Sequence, residues 1–169
     1  PSYRSIIEKR QVTSGAEQIG AFLSAVQMES VKRSENITVS YQSGDNWCIG
    51  EATGVDACDC TDPDPATADC VIDSQVRILN NSNLNYPDAV SVIHGDVNDN
   101  NHFVFDPARG LIYDTGTFAD FDEADVELVS ADDTYAMNVQ ITSTGRVKMC
   151  SDSDDKAVPG YRTCARDIE

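Results

Sequence analysis

Four of the six cysteines fall in "WCIGEATGVDACDCTDPDPATADC" (Trp47–Cys70): nine residues separate Cys48 from Cys58, one separates Cys58 from Cys60, and nine separate Cys60 from Cys70. Thiolates at this density either bind a soft metal or cross-link the chain. A single zinc asks for C-x2–4-C knuckles or for histidines. C-x-C is too short a knuckle, and His94 and His102 lie in alternating apolar segments away from the cysteines. An even count in polar loops fits disulfides made in an oxidising compartment. Cys150 and Cys164 flank one C-terminal loop and are expected to pair, contributing about 3 kcal/mol in the chain-entropy picture. For Cys48, Cys58, Cys60 and Cys70 three pairings are open, and Cys48–Cys58 with Cys60–Cys70 is preferred.

The remaining candidate chemistry is thin. "DVNDNN" (Asp96–Asn101) places Asp96, Asn98 and Asn100 at alternating positions, as the front of a calcium loop does. It lacks the following glycine, and Pro107 stands where the twelfth-position glutamate belongs. "DSDD" (residues 152–155) reads as a solvated loop. No G-x-S-x-G elbow, phosphate-binding loop or H-E-x-x-H occurs. Aspartate and glutamate are too abundant for a chance pair to signify acid–base catalysis. The expectation is a protein without catalytic residues, metal or cofactor.

Twenty-nine acidic against twelve basic residues give a net charge of −17, which repels nucleic acid and anionic lipid unless a local patch overrides it. Five of the basic groups, Arg4, Lys9, Arg10, Lys32 and Arg33, sit in the first 33 residues, so the negative charge belongs to the rest. There is no run of 18 apolar residues and no signal-peptide pattern. The chain starts directly in a helical pattern, as a processed or truncated product would.

What must position these residues is a helix followed by strands. Val12, Ala16, Ile19, Leu23, Val26 and Ser30 recur at alternating spacings of four and three, one stripe on a helix over residues 2–34. Gly15 and Gly20 weaken it by roughly 1 kcal/mol each relative to alanine. After Asn36 the pattern alternates. "ITVSY" (Ile37–Tyr41), "VIDSQVRIL" (Val71–Leu79), "AVSVIH" (Ala89–His94), "HFVFD" (His102–Asp106), "GLIYD" (Gly110–Asp114), "VELV" (Val126–Val129), "TYAMNVQIT" (Thr134–Thr142) and "GRVKM" (Gly145–Met149) read as short strands. The links "DPARG", "SADD" and "STG" carry turn residues, the last expected to form a hairpin. The fold class is α+β: one long N-terminal amphipathic helix packed on antiparallel β-sheet, in a single domain over 1–169. Its parts are a helix over 1–36, a β-rich head over 37–150 with a Cys-rich loop over 42–70, and a C-terminal disulfide loop over 151–169.

The run "EKRQVTSGAEQIGAFLSAVQMESVKRSENITVS" resembles the start of the soluble part of minor pilins and minor pseudopilins of the FimT/GspH family. Glu29, Lys32 and Arg33 match that family's "EAxKR"-like helix end, with Ser30 in place of the usual alanine. "FVFDPARGLIYDTGTF" (Phe103–Phe118) resembles its F-D-x-x-G strand–turn–strand. "ITSTGRVKMC" (Ile141–Cys150) resembles its S-x-x-G-R-x-R hairpin followed by a cysteine, and "PGYRTC" (Pro159–Cys164) a pilin ending. The resemblance implies a pilin-like fold and a structural subunit of an extracytoplasmic type IV pilus-like fibre or of a type II secretion pseudopilus. Its implied partners are other pilin subunits and the inner-membrane assembly machinery, after anchorage of the precursor by an apolar helix preceding Pro1. In that setting the stripe Val12, Ala16, Ile19, Leu23 and Val26 is expected to serve fibre packing.

Competence-type members of the family associate a "GRxR" element with DNA. Here Arg146 and Lys148 alternate along one strand, with Arg162 and Arg166 following, so DNA contact is the alternative reading. Lys148 replaces the second arginine, and Asp152, Asp154, Asp155, Asp167 and Glu169 lie close by in sequence.

Overall fold

The computed structural model describes residues 3–44, 46–83, 90–92, 101–113, 123–151 and 156–164, the side chains of 90–92 and 123–124 excepted. The acidic segments 96–100 and 152–155, His94 and Arg166 lie outside the described residues.

Helix α1 spans Tyr3–Arg33, about 46 Å at 1.5 Å per residue. Its stripe is buried completely: Val12, Ala16, Ile19, Leu23 and Val26 are 0–1% exposed. The four larger side chains each contribute roughly 1.5–3 kcal/mol through burial. Lys32 and Arg33 in the last turn suit the negative end of the helix dipole. The helix ends at Ser34, which takes φ 54°. The buried Ser30 hydroxyl donates to the Glu35 carbonyl at 2.8 Å and faces the Phe105 carbonyl at 3.4 Å. Ser30 thus ties the helix end to the following turn and to the sheet.

Among the described residues eleven strands follow: β1 Ile37–Gln42, β2 Cys48–Thr53, β3 Val71–Ile72, β4 Gln75–Val76, β5 Ile78–Asn80, β6 Val90–Val92, β7 His102–Asp106, β8 Leu111–Tyr113, β9 Glu123–Val129, β10 Ala136–Thr142 and β11 Val147–Ser151. They form a five-stranded sheet in the order β5-β2-β1-β7-β8, a four-stranded sheet in the order β11-β10-β9-β6, and the small β3-β4 hairpin. Among the described residues every pairing between these strands is antiparallel.

The helix packs against β1 and β7 of the first sheet and β9, β10 and β11 of the second. Leu23 sits where the sheets meet, beside Val39, Ile49, Phe103, Val126 and Ile141. In β10 the alternation resolves cleanly: Met137, Val139 and Ile141 join the core, while Asn138 and Gln140 take the other face. The Ile112 N–H donates to the Ser143 carbonyl at 3.1 Å, joining β8 to the β10–β11 turn.

Two strand expectations are corrected. The segment 42–70 is not all loop: Cys48–Thr53 forms β2, flanked on both sides in the five-stranded sheet. And Val71–Leu79 is not one strand. Asp73 and Ser74 both adopt positive φ, 53° and 62°, which turns the chain tightly between β3 and β4 before β5 begins.

Candidate interaction surface

The helix presents two faces. The stripe expected to pack a fibre is buried within the protein's own core. Its positions recur at the helical period along one side of α1, and the two sheets cover that side. On the roughly opposite side, at 3.6 residues per turn, lie the exposed apolar side chains of α1: Tyr3 (80% exposed), Ile6, Ile7, Met28 (66%) and Val31 (57%). Exposed Ala21 and Ala25 occupy the middle of this side, with Arg10 and Glu17 also on it. These residues escaped the sequence reading because the dominant stripe absorbed the helical period. The available signal was a second apolar set, Tyr3, Ile6, Ile7 and then Met28, Val31, at spacings of three and four.

The N-terminal half of α1 is held by the head through polar contacts. Ser5 and Tyr135 hydroxyls lie 2.7 Å apart. Lys9 Nζ donates to the Pro159 carbonyl at 2.8 Å, and the Tyr161 hydroxyl donates to Glu17 at 3.3 Å. The last two come from the loop closed by the Cys150–Cys164 disulfide. That loop also buries Val158 in the core, and its Thr163 bridges to Ser151 at the end of β11.

The other four cysteines pair as Cys48–Cys60 and Cys58–Cys70, which corrects the sequential pairing preferred from spacing. The reason is topological. Cys48 lies in β2, on the face of the first sheet where Gly50 and Ile78 also lie by register, and the loop after Gly54 folds back over that face. The Cys58 N–H donates to Ser40 Oγ at 2.9 Å. The folded-back loop brings Cys60 onto Cys48 and leaves Cys58 beside Cys70, forming a small cluster separate from the main core. Among the described residues no group of His, Cys, Asp and Glu side chains is arranged to hold a metal.

A charged group borders the C-terminal end of α1. Arg33 pairs with Glu29 one turn earlier and with Asp73 in the β3–β4 turn. Beneath them Glu51 of β2 is 5% exposed. Its Oε1 lies 3.7 Å from Arg77 Nε. Burial dominates over that long ion pair and pushes the Glu51 carboxyl up to about 7. Sequence reading missed this site because Glu51 occupies the strand that was read as loop.

The described residues of the proposed DNA-contacting set, Arg146, Lys148 and Arg162, do not converge. Arg146 and Lys148 are exposed beside one another at the start of β11. Arg162 lies at the other end, its carbonyl accepting the Ser151 N–H, about 13 Å along the strand at 3.3 Å per residue. By register Asp125 of β9 lies two strands from Lys148, with Gln140 of β10 between them. His102, in β7, is buried.

Within the described residues no helix is long and apolar enough to cross a membrane. The sequence pattern of the family described as type II transport protein GspH matches residues 15–145. The fold is similar to two crystal forms of the type IV minor pilin FimU of Pseudomonas aeruginosa strain PAO1. The form in space group P21 has a TM-score of 0.57 at 14% identity, covering 92% of this chain and 98% of that one. The P65 form has a TM-score of 0.52 at 14% identity, covering 88% and 98%. No curated protein sequence matches the chain.

Proposed function

The chain belongs to the family of the type II transport protein GspH, and from that premise we propose that it is a structural subunit, a minor pilin or pseudopilin, of an extracytoplasmic fibre. The observation that carries this reading is the exposed apolar side of α1, Tyr3, Ile6, Ile7, Met28 and Val31, opposite a stripe already used by the core. A helix of about 46 Å with an apolar side left to solvent is suited to packing against the helices of neighbouring subunits at 8–10 Å between axes. The short Ala21 and Ala25 side chains permit close approach. The acidic head then forms the outer surface, where like charge opposes non-specific association. Three disulfides stiffen it for an oxidising environment.

In this reading the precursor is held in the inner membrane by an apolar segment leading into α1, is handled by the assembly machinery there, and ends in a fibre of the periplasm or cell surface. No catalysis is part of it. The test is the N-terminal sequence and intact mass of the native protein, together with its presence in sheared surface filaments or in isolated secretion pseudopili. Recovery in sheared filaments identifies a pilus subunit, and recovery in pseudopili the H-type pseudopilin. A native N-terminus created by a conventional signal peptidase, with no fibre association, overturns the proposal.

DNA contact through Arg146, Lys148 and Arg162 has weaker support, since the three do not gather at one place. Retention of duplex DNA that falls with salt and vanishes in Arg146→Ala, Lys148→Ala would restore it. No retention at low salt removes it.

A further inference from the structure

A cleft at the Trp47 end of the head lies where the edge strand β5 meets β2, with Asn80 opposite Cys48. Its volume is about 310 Å³, at the lower end of the roughly 300–1,000 Å³ of small-molecule sites. On a chain of net charge −17, none of its described lining residues is charged. The rim carries carboxamides and hydroxyls, with Gln42, Asn46 and Ser82 exposed to solvent. Trp47, 1% exposed, and the Cys48–Cys60 disulfide form an apolar back wall.

This lining selects by exclusion and by match. Among its described lining residues a metal ion finds no carboxylate and an anion no cation, while the surrounding negative field repels anions further. A purely apolar ligand would strip water from the amides without replacing their hydrogen bonds. A carboxamide offers two donors and an acceptor, and a hydroxyl offers one donor together with acceptor lone pairs. Their complement is a neutral molecule whose own groups both donate and accept, with C–H faces to lay on the apolar wall. We propose that this cleft binds a short neutral saccharide.

The cleft is already shaped for a ligand. Asn80 Oδ1 accepts the Ser82 and Asn83 N–H groups at 3.0 and 3.3 Å, and Asn83 Oδ1 accepts the Asn80 N–H at 3.0 Å, which closes the turn bearing the rim. The opposite wall is fixed by the Cys48–Cys60 disulfide, with Thr61 held by its hydroxyl's bond to Asp59 at 2.6 Å. A site that need not reorganise loses less on binding.

The experiment is a ¹H–¹⁵N NMR titration of the chain with lactose, maltose and N,N′-diacetylchitobiose, alongside glucuronate and glucosamine as charged counterparts. The expected result is saturable shifts from at least one neutral sugar, centred on the side-chain amides of Gln42 and Asn46 and on the Asn80–Asn83 turn. A Gln42→Ala, Asn46→Ala variant should weaken binding by roughly tenfold or more while leaving the spectrum of the core strands in place. Both substituted residues are exposed, so the variant should fold. Absence of saturable shifts with all three neutral sugars, tighter binding of either charged sugar, or unchanged affinity in the variant overturns the proposal. None of these readouts depends on fibre assembly, so the saccharide site and the subunit role stand or fall separately.

Discussion

Gly50 lies directly against Cys70: a methyl group built at Gly50 would sit 2.4 Å from the Cys70 sulfur and 2.9 Å from the Cβ atoms of Cys60 and Cys70. The two disulfides therefore rest on β2 only because that strand has no side chain at this point. Gly50→Ala must displace backbone-anchored atoms of two bridges, and the expected cost is about 1–3 kcal/mol, as for overpacking elsewhere. Gly20 in α1 behaves oppositely. A methyl there would meet Met149 Sδ at 3.5 Å and Val147 Cγ1 at 3.8 Å, ordinary contact distances. Gly20→Ala should raise stability by up to about 1 kcal/mol through helix propensity. Denaturant unfolding of both variants checks the contrast. A stable Gly50→Ala protein with all three disulfides would show that the packing assigned to β2 is wrong.

The two sides of α1 should separate stability from assembly. Leu23→Ala, in the buried stripe, is expected to cost about 2–5 kcal/mol. Met28→Asp with Val31→Asp alters exposed positions and should change stability by less than about 1 kcal/mol, yet abolish incorporation into filaments. Thermal melts read the first effect and the protein content of sheared filaments reads the second. Filaments that still contain the double variant would place the packing surface elsewhere.

Glu51 gives the fold an unusual pH dependence. Its carboxyl, ordinarily near 4.5, is raised to about 7 by burial, so between those values the native state holds a proton that the unfolded chain has released. The associated stability is complete below about 4.5 and is lost as pH rises through 7. Glu51→Gln removes this titration. Relative to the parent, the variant should gain up to about 3 kcal/mol between pH 4.5 and 8, read from urea midpoints across that range. A pH-independent difference would mean that Glu51 is charged and adequately paired with Arg77 throughout.

The Cys150–Cys164 bridge closes a segment of sequence separation 14, and Cys150→Ser with Cys164→Ser should cost about 3 kcal/mol. Because the closed loop also supplies the partners of Lys9 and Glu17, hydrogen exchange should quicken at the Pro159–Tyr161 segment and in the first half of α1 more than in β1 and β2. Uniform acceleration would show that the bridge acts only through the unfolded chain.

Where the physics is local, the sequence was informative. The four-and-three spacing from Val12 to Ser30 located α1 and its buried face, and "HFVFD" marked the full extent of β7. "STG" marked the β10–β11 turn, where Gly145 takes φ 74° against Gln27. Strand β2 was hidden because Gly50 and Glu51 break the apolar alternation: one accommodates disulfides and the other is a buried acid, and neither role has a local signature. The Asp73–Ser74 turn lacks the Asn-Gly or Asp-Gly pair that marks a tight hairpin. Disulfide partners were illegible for a different reason, since spacing ranks short loops first while the folded-back loop decides which sulfurs meet. The exposed side of α1 was legible in principle, but a single dominant stripe drew the whole assignment to itself.

The crossed arrangement of Cys48–Cys60 and Cys58–Cys70 has a consequence for biogenesis. The span from Cys48 to Cys60 encloses Cys58, whose partner lies ten residues beyond Cys60. A chain oxidised strictly in the order in which its residues emerge would close Cys48 onto Cys58 as soon as both were available, then leave Cys60 for Cys70. Each of those bonds is wrong. Reaching the native pattern from there takes thiolate attack and partner exchange, a step that is avoided where β1 and β2 pair before the oxidant arrives.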